Sequence, residues 1–127
     1  MNKDITFTEH DDYLLACISD NVITVTRAHE ILARIGEECS RLNYAKVLLD
    51  EISVERREVP PNEIKKLAFD FNKHKLNKVY MAFLCQPHLV GYDSHLLSLY
   101  TYKTEFIIQH FTNNEDAIEW LNSKNDS

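Results

Sequence analysis

The stretch Ala45-Lys46-Val47-Leu48-Leu49-Asp50-Glu51-Ile52 decides the fold. Its centre, Val47-Leu48-Leu49, is continuously apolar, which suits a strand covered on both faces and hence a parallel sheet. A second run of this kind, Lys78 to Cys85, holds Val79-Tyr80-Met81-Ala82-Phe83-Leu84 and stops at Gln86-Pro87. Between them, Ser53 to Val59 is charged and irregular, and Pro60-Pro61 closes it. Proline suits a first helical turn, so a helix is predicted from about Pro61 to His74, with Ile64, Leu67, Ala68 and Phe71 as its apolar face. Buried strands separated by helix-length segments imply crossover connections in an α/β domain.

Working outward, Ile5–Thr8 and Tyr13–Ile18 read as two strands joined at the polar turn His10-Asp11-Asp12, an antiparallel edge hairpin. From Val25 the period becomes helical, through Ala28, Ile31, Leu32, Ile35, Cys39 and Leu42, with Thr24 or Thr26 available as N-cap. Gly36 inside that helix costs about 1 kcal/mol relative to Ala unless something packs closely against it. On the other side, Tyr92–Tyr102 is predicted as a helix and Glu105–Phe111 as a strand. Thr112-Asn113-Asn114-Glu115-Asp116 is a helix-start signal before Ala117-Ile118-Glu119-Trp120-Leu121. The expected architecture is α/β: a mostly parallel sheet of about five strands with the edge hairpin, and helices packed mainly on one face as a single covering layer.

Composition narrows the function. The chain has 127 residues, 44% hydrophobic and 27% charged, the mixture of a single soluble domain. One domain is expected over 1–127, with a core at about 4–122 and a polar tail at 123–127. Fourteen Lys and Arg against 20 Asp and Glu give a net charge of −6, which disfavours nucleic acid as a partner. Only 2 Gly are present, which excludes a glycine-rich phosphate cradle. Cys17, Cys39 and Cys85 stand far apart in apolar or amphipathic runs, so reduced thiols in a cytoplasmic setting are expected. No signal peptide and no integral membrane segment are expected either.

The element order, the strand ending Val47-Leu48-Leu49-Asp50, and the close Phe111-Thr112-Asn113-Asn114-Glu115-Asp116-Ala117-Ile118-Glu119-Trp120-Leu121 together resemble the STAS fold. The resemblance is greatest to its SpoIIAA-like (STAS/SEC14) branch and covers about residues 4 to 122. It implies a sheet with helices on one side and a role in binding or regulation. Anti-sigma-factor antagonists of this family carry a Ser/Thr phosphoacceptor at the start of the helix after the central strand. The corresponding stretch here, Glu55-Arg56-Arg57-Glu58-Val59-Pro60-Pro61-Asn62, has no hydroxyl, and Ser53 lies outside the motif. The phosphorylation site is therefore not carried across.

Candidate chemistry is sparse. Cys85-Gln86-Pro87-His88-Leu89-Val90-Gly91-Tyr92-Asp93-Ser94-His95 is the densest reactive cluster and follows a predicted strand, where open α/β sheets bind ligands. Cys85 with His88 has the makings of a thiolate–imidazole pair, and Cys85, His88 and His95 of a zinc set. The spacing matches no closed metal motif, and a buried strand-end cysteine followed by a polar loop accounts for it more simply. Adjacent carboxylates, Asp50-Glu51 and Glu37-Glu38, point in different directions and form no acid–base dyad. Of the two pairs, Asp50-Glu51 at a strand's carboxyl end is the better candidate for a functional contact. No catalytic residue, cofactor or metal is assigned.

From Glu55 to Lys78, seven Lys and Arg face four acids, so that segment is +3 and the remainder −9. A solvated helix face explains most of this, but it is also where STAS-like domains make contacts. Ser53, Arg56, Arg57, Asn62, Lys65 and Lys66 are accordingly the candidate partner-binding residues. The sequence thus favours a non-enzymatic regulatory domain that binds another protein. The alternative is a binder of a small apolar or lipid-like ligand, in a pocket lined by Phe71, Phe83, Tyr92 and Tyr100. A homodimer through the exposed edge strand is a further expectation.

Overall fold

Val47, Leu48 and Leu49 are all buried, so consecutive side chains on opposite faces of one strand both find cover. This strand is the middle of the computed structural model, which describes residues 5–60, 62, 63, 66, 79–90 and 107–124. The described elements are β1 (Thr6–Glu9), β2 (Leu14–Cys17), β3 (Val22–Thr24), α1 (Val25–Leu42), β4 (Lys46–Asp50), β5 (Arg56–Glu58), β6 (Tyr80–Leu84), β7 (Ile107–Phe111) and α2 (Asn114–Asn122). Five strands form one sheet in the order β1-β2-β4-β6-β7. The hairpin β1-β2 is antiparallel, and every other neighbour pair in this sheet is parallel, with Leu48 opposite Leu15 on one side and Ala82 on the other. The α/β class, the mostly parallel sheet and the antiparallel edge therefore stand as the sequence implies.

Layering differs from expectation in one respect. Val47, Leu49, Met81 and Phe83 pack with Ile31, Leu32, Ile35 and Cys39 of α1 on one face. The alternate residues Leu48, Ala82 and Leu84 pack with Ala117 and Leu121 of α2 on the other. The closing helix thus does not join a single layer. Strands buried on both faces need apolar cover on both, and α2 supplies it opposite α1.

Helix α1 is fixed at both ends. Thr24 Oγ1 accepts from the Arg27 amide at 3.2 Å, and Asn43 ends the helix in the left-handed region at φ 63°. Gly36 is buried, so a close neighbour offsets its helical penalty. Asn113 caps α2, its Oδ1 accepting from the Asp116 amide at 2.9 Å, with Glu115 and Asp116 in the first turn.

A second sheet is absent from the sequence reading. Strands β3 and β5 pair in parallel, Val22 with Arg56 through Thr24 with Glu58, and β5 lies inside the Ser53–Val59 segment expected to be irregular. Of the helix expected at Pro61–His74, Asn62, Glu63 and Lys66 are helical. Its remaining positions, and the helix expected at Tyr92–Tyr102, lie outside the described residues.

Candidate functional site

The small sheet sits at the carboxyl end of the large one, where α/β sheets place their functional loops. Strand β4 ends at Asp50, whose Oδ1 accepts from the Ile52 amide at 3.2 Å. The Val54 amide donates to the Glu51 carbonyl at 3.0 Å, closing a tight turn. Ser53 Oγ donates to the Asp20 carbonyl at 2.8 Å and also reaches the Ile18 carbonyl, tying the turn to the end of β2. The Glu55 and Arg56 amides both donate to the Asn21 carbonyl. From the far side, Gln86 Nε2 donates to the Ile52 carbonyl at 2.9 Å, and His88 Nε2 to the Glu55 carbonyl at 2.7 Å.

This rim is a fixed frame, and it holds one apolar side chain outward. Ile52 is 45% exposed, the only exposed large hydrophobic among the described residues. Its neighbours Val54 and Val59 are buried in the core beneath.

Two ion pairs fasten the frame from inside. Arg27 of α1 holds both oxygens of Asp20, at 3.0 and 3.3 Å. Arg57 of β5 holds both oxygens of Glu51, through Nη1 at 3.1 Å and through Nη2. The Glu51 side chain is only 4% exposed and that of Arg57 13%. His110 of β7 is also buried, edge-on to Phe83 with ring centroids 4.9 Å apart. Burial pushes the His110 pKa down to about 4, and the nearby Arg57 charge adds to the effect.

These positions sort the candidate residues. Arg56 is exposed and pairs with Glu58 at 3.1 Å. Arg57 points inward to Glu51, and Ser53 spends its hydroxyl on backbone carbonyls. Asn62 and Lys66 are exposed, with Lys66 on Glu63 at 3.2 Å, while Lys65 lies outside the described residues. Of the aromatic pocket, Phe83 is buried against His110; Phe71, Tyr92 and Tyr100 lie outside the described residues. Cys85 is fully buried and His88 is turned to the Glu55 carbonyl, so these two are not joined as a nucleophile and base. His95 lies outside the described residues. No group of His, Cys, Asp and Glu able to hold a metal occurs among the described residues.

Sequence reasoning missed Ile52, the Glu51–Arg57 pair and the role of Gln86. The signal for Ile52 was its place immediately after Asp50-Glu51, an apolar residue beyond the strand's end. The ion pair had none, because it depends on β5.

The geometry is that of a known fold. The chain is similar to a DUF3478-family protein with a SpoIIAA-like fold from Shewanella loihica PV-4, at 15% identity and a TM-score of 0.59, covering 94% of this chain and 93% of that one. It is also similar to an anti-sigma factor antagonist from Mycobacterium paratuberculosis, at 15% identity and a TM-score of 0.62, covering 95% of each chain. The fold is SpoIIAA-like. No family model matches the sequence, and no curated protein matches it. Among the described residues, no helix is long and apolar enough to cross a membrane.

Proposed function

We propose that this chain is a non-enzymatic, cytoplasmic regulatory domain that acts by binding another protein through the rim running from Ile52 toward Asn62 and Lys66. The observation that carries the reading is Ile52, an exposed apolar side chain on a loop whose backbone is already tied down. A fixed loop loses little conformational freedom on docking, and a projecting aliphatic residue supplies buried apolar area at the centre of a contact. Arg56 and Glu58, further along the same segment, add exposed charge of the kind that rims an apolar anchor. The likeness in fold to an anti-sigma factor antagonist supports a regulatory role.

The test is affinity capture from the native cytoplasm with native mass spectrometry on the same eluate, comparing the unaltered chain with Ile52→Asp and Arg56→Glu. A stoichiometric protein lost with Ile52→Asp and weakened with Arg56→Glu supports the reading. Equal capture by all three chains removes this surface, and a small molecule bound without any protein partner transfers the function to ligand binding.

A further inference from the structure

We infer that Gln86 and His88 are positioning residues, a clamp that holds the rim in the shape that presents Ile52; this rests on the contact role proposed for that rim. The two side chains leave one short segment and grip carbonyls on either side of the Ser53–Val54 turn, those of Ile52 and Glu55. A carbonyl only accepts, so His88 Nε2 is the donor in this bond. The clamp is itself anchored to the large sheet. Gln86 follows β6 directly, and the Cys85 amide donates to the Phe111 carbonyl of β7 at 2.9 Å. The Leu89 amide returns to the Gln86 carbonyl at 3.0 Å, and the Leu89 side chain is buried in the core.

Besides these two bonds, the turn is tied to the β2–β3 side through Ser53 and the Asn21 carbonyl, and to β5 through the Glu51–Arg57 pair. Gln86 and His88 grip the outer edge of the turn from the β6 side, and both side chains come from outside the rim. That makes the 86–88 segment the place from which the contact surface is set, without itself supplying the apolar anchor.

The test is amide hydrogen exchange on the full chain carrying Gln86→Ala and His88→Phe, read at Val54, Glu55 and Arg56. His88 is exposed and Gln86 half-buried, so the core is left intact. Exchange at these three amides is expected to rise about tenfold, with Leu48 and Leu49 of β4 unchanged. His88→Gln, which keeps a donor, is expected to restore part of the protection beside Gln86→Ala. Unchanged exchange at the rim overturns the clamp, and so does a uniform rise that includes β4. The readout needs no partner, so a failed clamp shows here and a failed contact surface shows only in the capture experiment.

Discussion

Arg57, in the middle of a three-residue strand, grips both carboxylate oxygens of Glu51, the first residue beyond β4. Arg57 belongs to the small sheet and Glu51 directly follows a strand of the large one, so this pair bolts the two together. Removing one partner takes this countercharge from the other in a nearly dry place. Glu51→Ala or Arg57→Ala is expected to cost about 3–5 kcal/mol in urea unfolding. Replacing both, as Glu51→Leu with Arg57→Met, should recover most of that loss. A single variant that loses less than about 1 kcal/mol would show a solvated pair instead.

The same neighbourhood predicts a pH dependence. His110 has its pKa lowered to about 4 in the folded chain, against an ordinary value of 6.5. Between those values the unfolded chain binds the proton and the folded chain does not. Stability is therefore complete above about pH 6.5 and falls as the pH drops toward 4, by roughly 3 kcal/mol in all. His110→Phe should flatten that slope while leaving the carboxylate contribution at lower pH. An unchanged slope between pH 6.5 and 4 in this variant excludes His110 as its source.

Helix α2 seals the second face with Ala117 and Leu121. Leu121→Ala is expected to cost about 2–5 kcal/mol, the range for a fully buried leucine. Asn113→Ala, which removes the cap, should cost about 1 kcal/mol. The single Trp120 lies against Phe111 and Tyr80, so its fluorescence follows the unfolding of this face. A loss below about 1 kcal/mol for Leu121→Ala would mean that α2 does not close the core.

The thiols should be inert. Burial pushes Cys39 up to about 12, helped by the Glu38 charge, and Cys17 is raised by burial and by Asp50. Cys85 is fully buried. At pH 8 a disulfide reagent should label the native chain slowly and all 3 cysteines at once after denaturation. Rapid labelling of Cys85 in the native chain would revive the nucleophile reading.

What could be read in advance follows from locality. Val47-Leu48-Leu49, the helical spacing of α1 and the helix-start signal at Thr112–Asp116 are properties of short windows, and each appears where it was expected. Strands β3 and β5 are three residues each, and Arg56-Arg57-Glu58 has no apolar alternation to announce it. Their pairing depends on residues remote in sequence, as does the partner of Glu51. The side on which α2 packs was equally hidden, because periodicity identifies an apolar face without saying which layer it joins. Arg57 illustrates the cost for the site: its charge suggested a surface contact, whereas β5 turns it inward.

The parallel pairing of Val22 with Arg56 carries a kinetic consequence. So short a ladder repays little of the entropy of closing the intervening chain, so it forms after β2 and β4 have come together. The rim that displays Ile52 is completed late in folding. A newly made or damaged chain whose large sheet is unfinished has no such rim to offer, so a partner docking there, as proposed, would engage only the molecule that has reached its native state.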